Sequence, residues 1–128
     1  MPIELNHLII PARDKHASAA FLAGILGLPV GQPWGPFIPV RLANRVTLDY
    51  ADAGAFHRHH CAFLVSDEEF DAAFGRIRES GISYWADPAH TKPGQINHLY
   101  GGRGVYFEDP NGHNMELITQ PYGPVPQG

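Results

Sequence analysis

Residues 105–117 read VYFEDPNGHNMEL, in which the tetrapeptide DPNG joins two apolar-rich segments. Aspartate at the first position, proline at the second and glycine at the last are typical of a type I turn. The stretch therefore predicts a hairpin between strands at about 104–108 and 113–119. Because strand side chains alternate between faces, Glu116 is predicted to project away from the side of its apolar neighbours.

The chain contains an internal repeat made of an apolar run, an aspartate and a helical pattern. His7 precedes Asp14 by seven residues, and His60 precedes Asp67 by the same seven. A phenylalanine then stands at an equivalent place in each copy. Self-similarity of this kind indicates that one structural unit occurs twice.

Each copy of the repeat predicts one amphipathic helix. The first helix covers Lys15–Leu26, and the second follows Ser66 and Glu69, whose spacing is that of a capping box. Gly81 is predicted to end the second helix. The stripes expected to face the core are Ala17, Phe21 and Ile25 in the first helix and Phe70, Phe74 and Ile77 in the second.

The order of elements predicts an α+β fold of paired βαβββ modules. A hydrophobic content of 44% in 128 residues is enough for the core of one domain, and the chain is too short for two independent domains. We expect a single domain over 1–121, with a first module at about 3–52 and a second at about 57–119. Residues 88–102 are predicted to form a long loop and 122–128 an irregular tail.

Charge and composition argue against several classes of partner. The net charge of −4 and the pI near 6 give no basic surface for a phosphate backbone, so no nucleic acid is expected. No apolar stretch is long enough to span a membrane and Met1–Asn6 does not resemble a secretion signal, so we expect no membrane and a cytoplasmic protein. Cys61 is the only cysteine and lies in an apolar run, which predicts a buried hydrophobic residue without a redox role.

The C-terminal motif resembles that of the ring-cleaving extradiol dioxygenases, with His98, Tyr106, the DPNG turn and Glu116 in the same order. With the paired modules and a histidine in the first strand of each, the chain is similar to the vicinal oxygen chelate superfamily over about 3–119. That superfamily includes glyoxalase I, fosfomycin-resistance enzymes, bleomycin-resistance binding proteins and extradiol dioxygenases. The resemblance implies the glyoxalase/bleomycin resistance/dihydroxybiphenyl dioxygenase-like fold, in which the modules form a cup-shaped sheet around a divalent metal ion.

The resemblance implies that His7, His60 and Glu116 bind this metal. Strand alternation supports the set independently, because it places all three opposite the helix-facing apolar residues. Two imidazoles and a carboxylate leave positions open for substrate or oxygen, so Fe²⁺ is expected, and Mn²⁺, Ni²⁺ or Zn²⁺ are compatible. The alternatives are His59 in place of His60, through a bulge, and an ion pair between Glu116 and Arg103. The histidines expected to be ordinary surface residues are His16, His57 and His113.

The same resemblance makes His98 and Tyr106 candidate catalytic residues that donate hydrogen bonds and move protons. A further acid/base histidine of the extradiol enzymes has no counterpart here, because Asn44, Arg45 and Val46 stand at its place. Aromatic residues in or beside loops are suited to stacking on a flat ligand. The candidates for substrate binding are Thr47, Trp34, Phe37, Trp85 and Tyr100.

Two activities of the superfamily are not favoured by the sequence. Glyoxalase I carries a second glutamate on the last strand of its first module, where Thr47 stands here and cannot act as carboxylate ligand and base. Fosfomycin-type enzymes share a His, His, Glu set. Their cationic phosphonate-binding residues and potassium loop, however, are not recognisable in this sequence.

We therefore expect a metal-dependent oxidoreductase of extradiol dioxygenase type, acting on a small aromatic or enediol substrate chelated to the metal. The alternatives are a binding protein that sequesters an aromatic antibiotic, and a non-oxidative metal-dependent isomerase or lyase. Single-domain members of the superfamily commonly pair, which implies a homodimer. In that dimer, His7 of one chain would join His60 and Glu116 of the other.

Overall fold

The computed structural model describes residues 2–122, and the chain divides into two compact units between His57 and Arg58. Of the predicted irregular tail, only Tyr122 lies within the described residues. The first unit contains β1 (His7–Ala12), α1 (Lys15–Leu26), β2 (Ile38–Arg41) and β3 (Thr47–Asp52). The second unit contains β4 (His60–Leu64), α2 (Asp67–Ser80), β5 (Tyr84–Trp85), a 3-10 turn (Leu99–Gly101), β6 (Gly104–Glu108) and β7 (Asn114–Ile118).

The first unit is a three-stranded sheet in the order β1-β3-β2, against which α1 packs. β1 is parallel to β3, and β2 is antiparallel to β3. A fourth strand, predicted for this module, is not formed among the described residues. In its place the Gly31 N–H donates to the Pro39 carbonyl at 2.9 Å. Pro29 and Pro33 flank Gly31, and Pro39 has no N–H, so a longer ladder cannot form.

The second unit repeats this topology with one more strand, in the order β4-β7-β6-β5. The predicted hairpin between β6 and β7 is confirmed. In its turn the Gly112 N–H donates to the Asp109 carbonyl at 3.0 Å, and Gly112 has φ 84°, a conformation that favours glycine. The Asp109 carboxylate also accepts the backbone N–H groups of Asn111 and His113, each at 2.9 Å. The turn is therefore fixed by its own residues.

Both helices have the boundaries that the sequence predicts. Asp14 caps α1 by accepting two backbone N–H groups. Ser66 and Glu69 form the predicted capping box of α2, and Gly81 ends that helix in the left-handed conformation. No helix within residues 2–122 is both long enough and apolar enough to cross a membrane.

The predicted core stripe is right only for Ile25 in α1, whereas in α2 two of its three residues are fully buried. In α1, Ala17 is exposed and Phe21 is only half-buried. Alanines occur around the whole of this helix, so the spacing of its larger apolar residues did not define the packed face. In α2, Phe70 and Ile77 are fully buried, and Phe74 packs edge-on against Tyr84 with ring centroids 5.0 Å apart. The buried residues of α1 are Ser18, Ala19, Leu22, Ala23 and Ile25.

Strand alternation follows the prediction in both units. In β1, Ile10 is fully buried whereas His7 and Ile9 are exposed. In β4, Phe63 is buried between two exposed residues. Two helices and two mixed sheets of matching topology confirm the α+β fold of paired modules.

Candidate functional site

The candidate site lies on the face of the second sheet that carries Glu116. Strand register places Glu116 beside Ala62 of β4 and beside Tyr106 of β6, and it places Tyr106 beside Trp85 of β5. Paired residues on adjacent strands project to the same side, and the two-residue period adds His60 to this face. The residues that alternate with them and form the core are Phe63, Phe107, Met115 and Leu117.

His60 is the histidine that reaches Glu116. Its Nε2 lies 3.0 Å from Oε1 of Glu116, whose side chain is 0% exposed, whereas the His60 side chain is 48% exposed. His59 points elsewhere: its backbone N–H donates to Nδ1 of His113 at 2.8 Å, and the two rings have centroids 4.9 Å apart. The structure therefore brings together the pair that strand alternation predicted.

His113 is fully buried, so its prediction as a surface residue is wrong. The backbone N–H of His113 donates to the Asp109 carboxylate, and this bond orients the residue where the chain leaves the turn. From there its Nδ1 accepts the backbone N–H of His59. A buried imidazole that satisfies a backbone donor stabilises the fold. His16 and His57 are exposed, as expected.

Tyr106 is buried directly beside Glu116. Its ring lies 6.0 Å from that of His60 at an interplanar angle of 25°, and its hydroxyl is 2.8 Å from the hydroxyl of Tyr122. Burial, followed by the hydrogen bond and the charge of Glu116, raises the pKa of the Tyr106 phenol far above its ordinary value. The phenol therefore remains protonated at neutral pH and serves as a hydrogen-bond donor.

Tyr122 completes this group, although the sequence placed it in the irregular tail. Its hydroxyl donates to Oε2 of Glu116, and its ring lies 5.4 Å from that of Tyr100. No periodicity or motif marks a single tyrosine after the last strand as a site residue. Its role depends on where the chain turns after β7, and that is a tertiary property.

The donor pair on this face fits a first-row divalent metal. Metal bonds to imidazole nitrogen and carboxylate oxygen are about 2.1 Å long, so two such ligands at right angles lie about 3 Å apart. This is the separation of 3.0 Å between Nε2 of His60 and Oε1 of Glu116. Among residues 2–122, no group of three or more His, Cys, Asp or Glu side chains has the arrangement of a metal site.

His7 has the orientation of a potential ligand within the first unit. It is exposed at the start of β1, on the face opposite the buried Ile10 and Ala12. Its Nδ1 donates to Oδ1 of Asn6 at 2.8 Å. That hydrogen bond selects the tautomer whose Nε2 carries the free lone pair, which is the arrangement of metal-binding histidines.

Strand register shows that Thr47 is not the first-module counterpart of Glu116. In the second sheet Ala62, two residues after His60, pairs with Glu116; in the first sheet Ile9, the equivalent residue, pairs with Asp49. The first-module counterpart of Glu116 is therefore Asp49, and the conclusion that this module lacks a carboxylate there is wrong. Thr47 and Asp49 are two residues apart and lie on the same face of the strand, so the alternation of side chains cannot distinguish them.

Asp49 is an unusual residue for a strand interior. Its side chain is buried, at 2% exposure, and within residues 2–122 its Oδ1 has no hydrogen-bond partner. A buried carboxylate oxygen without a partner costs free energy and is typical of functional sites. Asp49 is the functional candidate that sequence reasoning missed.

His98 does not contact the Glu116 group in the described residues. The loop that carries it is held by Asn97, whose backbone forms two hydrogen bonds with Gly104, at 2.9 and 3.0 Å. The Asn97 side chain also donates to the Ala86 carbonyl at 2.8 Å. His98 follows Asn97 and is exposed.

The aromatic candidates fall into two groups. Trp85 lies on the Glu116 face, where its ring stacks on that of His90 with centroids 3.8 Å apart and an angle of 3°. His90 in turn bonds through Nε2 to Oδ1 of Asn114 at 2.9 Å. Trp34 and Phe37 belong to the first unit, where they pair across a tight turn with ring centroids 5.2 Å apart.

Two further side chains have structural roles. Arg103 does not pair with Glu116, because its guanidinium bonds to Asp67 at 3.0 Å and Asp71 at 2.6 Å and covers the ring of Phe70. Burial, and secondarily the charge of Asp109, raises the pKa of the Cys61 thiol. The thiol is thus less readily ionised than a free cysteine, although the residue is half-buried and not fully buried as predicted.

The sequence profile of the Glyoxalase/Bleomycin resistance protein/Dioxygenase superfamily matches residues 4–117. The chain belongs to this superfamily. Within it, the chain is 62% identical to the solved structure "Oxidase ChaP-H2", covering 96% of this chain and 98% of that one, with a TM-score of 0.94. "Oxidase ChaP-H1" is 54% identical, with coverage of 95% and 99% and a TM-score of 0.93.

Fosfomycin-related superfamily members are more distant. Glutathione transferase FosA of Serratia marcescens is 28% identical over 120 residues, which are 88% of this chain and 78% of FosA. The fosfomycin resistance protein FosX from Listeria monocytogenes is 22% identical, with coverage of 98% and 97% and a TM-score of 0.71, a likeness of fold alone.

Proposed function

We propose that this protein is a divalent-metal-dependent oxidase of extradiol dioxygenase type, acting on a small aromatic or enediol substrate with two neighbouring oxygens. The observation that carries the proposal is the fully buried Glu116 carboxylate with a histidine nitrogen 3.0 Å away. The 62% identity to a protein named an oxidase, over almost the whole of both chains, supports the oxidative class.

The burial of Glu116 favours a ligand role over a simple ion pair. A buried carboxylate costs several kcal/mol unless its oxygens are paired. The oxygens of Glu116 meet Tyr122, Tyr106 and His60, but the phenols carry no charge and the half-exposed histidine is a weak partner for a buried carboxylate. A divalent cation shared by His60 and Glu116 would compensate the buried charge, and the expected metal is Fe²⁺, with Mn²⁺, Ni²⁺ or Zn²⁺ compatible.

The residues of this face have distinct roles in the proposed reaction. A bound divalent metal would supply Lewis acidity that stabilises the deprotonated oxygens of the substrate. Tyr106, held protonated by its surroundings, donates a hydrogen bond to a substrate oxygen. Trp85 and Tyr100 offer flat surfaces for the substrate ring. His98, which is exposed in its loop, is proposed to donate a hydrogen bond to dioxygen.

We further propose a homodimer in which His7 is contributed by the partner chain. His7 is exposed, and so are the apolar residues Ile9 and Leu64 on the same strands as His7 and His60. These exposed side chains support pairing through these sheet faces. Mixing His7→Ala protein with Glu116→Ala protein should then restore one intact metal site per heterodimer. Each variant alone should bind no metal stoichiometrically, and a strictly monomeric wild type would contradict the idea.

Metal analysis of anaerobically purified protein, followed by oxygen uptake with a panel of catechols, tests the proposed function. We expect one metal per chain and oxygen uptake that is abolished by a chelator. Tyr106→Phe and His98→Ala should each lower turnover by about 100-fold or more while leaving metal content unchanged. Tyr84→Phe, which removes a hydroxyl outside this face, is the matched control.

The main alternative is a protein that sequesters an aromatic antibiotic. The aromatic residues at or beside the loops of this chain support that alternative. It predicts tight binding of an unaltered ligand that is indifferent to chelators and to Tyr106→Phe. Transfer of glutathione, suggested by the similarity to a protein named a glutathione transferase, would instead appear as glutathione consumption without oxygen uptake.

A further inference from the structure

The side chain of Tyr122 occupies the Glu116 face from outside the sheet. Its hydroxyl donates to Oε2 of Glu116 and lies 2.8 Å from the hydroxyl of Tyr106. Its ring lies 5.4 Å from that of Tyr100, at an angle of 47°. The residue is nevertheless 42% exposed, and it belongs to no strand or helix.

Two of these contacts are with groups that the proposed reaction assigns to substrate, Tyr106 and Tyr100, and the third is with an oxygen of the proposed metal ligand Glu116. Oε1 of Glu116 faces His60, so Oε2 is the oxygen left for a hydrogen bond from a ligand. Tyr106 is the donor assigned to a substrate oxygen, and Tyr100 is an aromatic surface. One phenol therefore meets three recognition groups at once, and the phenol belongs to the chain itself.

We infer that Tyr122 occupies the position of the substrate's hydroxylated ring. The site therefore takes a phenol, and Tyr122 competes with it. The inference rests on the proposed function, since it assumes that this face is the substrate site. Beyond the proposed function, the substrate's phenol hydroxyl would lie between Glu116 and Tyr106, and Tyr122 would act as a tethered competitor.

A tethered competitor has a defined thermodynamic effect. It lowers the apparent affinity for a ligand in proportion to the fraction of molecules in which the site is open. The tether also gives Tyr122 an effective concentration in the millimolar range, so even a weak contact keeps the site mostly closed. Removing the side chain should therefore tighten binding of an external phenol.

A purely supporting role for Tyr122 makes the opposite prediction. If its hydroxyl only orients Glu116, removing it should weaken metal binding and should not improve binding of a phenol. Tyr122→Phe and Tyr122→Ala separate the two roles. The first removes the hydroxyl and keeps the ring near Tyr100, whereas the second removes both.

The experiment is calorimetric titration of wild type, Tyr122→Phe, Tyr122→Ala and the control Tyr84→Phe with 4-nitrophenol, at a pH low enough to keep its hydroxyl protonated. The titration is repeated with 4-nitroanisole. We expect the Kd for 4-nitrophenol to fall about tenfold in Tyr122→Ala, with a smaller fall in Tyr122→Phe and none in the control. The anisole, which has no hydroxyl to donate, should bind more weakly than the phenol to every variant.

Unchanged or weaker phenol binding in Tyr122→Ala would overturn the inference, and a simultaneous loss of metal affinity would assign Tyr122 a supporting role. Equal binding of phenol and anisole would overturn the assignment of a hydroxyl-recognising site. Oxygen uptake with catechols, measured on the same proteins, reports separately on the proposed function. Tighter phenol binding without any uptake would retain the inference and reject the oxidase.

Discussion

In the second module the last strand presents Glu116 between His60 and Tyr106, with all three in contact through hydrogen bonds or ring stacking. In the first module the strand of the same register presents Asp49, also buried, whose Oδ1 has no partner among residues 2–122. The two sheets thus share topology, register and a buried carboxylate, yet they differ in the polar groups around it. The shared register gives each module a carboxylate at the same position, and the side chains around that carboxylate differ.

Substitution of the two carboxylates gives the strongest test of this difference. Glu116→Gln should abolish stoichiometric metal binding, because the amide keeps the shape and removes the charge that a cation requires. Asp49→Asn should retain one metal per chain and reduce turnover. Metal analysis of both proteins after anaerobic purification is the measurement. Loss of metal in both variants would make Asp49 a ligand and remove the distinction between the modules.

The cores of the two modules can be compared through one large residue in each helix. Phe70→Ala should lower the free energy of unfolding by about 3–5 kcal/mol and Leu22→Ala by about 2–5 kcal/mol, since both side chains are fully buried. We expect one cooperative transition in urea, shifted by either change, as for a single domain. Two transitions, each moved by only one variant, would mean that the modules unfold independently.

The pKa of Tyr106 predicts how the second module responds to alkali. Its folded-state pKa is raised above the unfolded value of about 10, so the unfolded chain releases this proton first as the pH increases. The resulting stability is present below about pH 10 and is lost above it, by roughly 1.4 kcal/mol per unit of pKa separation. Urea unfolding at pH 8 to 11 should show a steeper decline for wild type than for Tyr106→Phe. Parallel curves would contradict the raised pKa.

Helix capping should give the smallest effects, and similar ones in the two modules. Asp14→Ala and Ser66→Ala each remove a side chain that accepts backbone N–H groups at a helix start, at a cost of about 1 kcal/mol. Ser83→Ala, at an exposed position outside both helices, is the control and should have no measurable effect. Chemical denaturation followed by circular dichroism is sufficient. A much larger loss for Ser66→Ala would indicate that the α2 cap also supports the neighbouring site.

Much of the fold could be predicted because its signals are local. The capping box at Ser66, the turn at Asp109 and the boundaries of α1 each depend on residues within a few positions of one another. The choice of His60 over His59 followed from strand parity, which is also local. The packed face of α1 was predicted only in part because small residues surround that helix. The fourth strand of the first module was predicted wrongly, because prolines prevent its ladder.

The sequence by itself determined the two-module α+β plan, the helix ends, the hairpin turn and the face on which His60 and Glu116 lie. These features arise from periodicity, capping and turn chemistry, which act over a few residues. Only the tertiary structure decided that Asp49 rather than Thr47 is the counterpart of Glu116, that His113 is buried, and that Tyr122 meets Glu116 and Tyr106. Each of these depends on how distant parts of the chain pair or pack. The alternation of side chains along a strand does not reveal it, because that alternation is the same after a register shift of two residues.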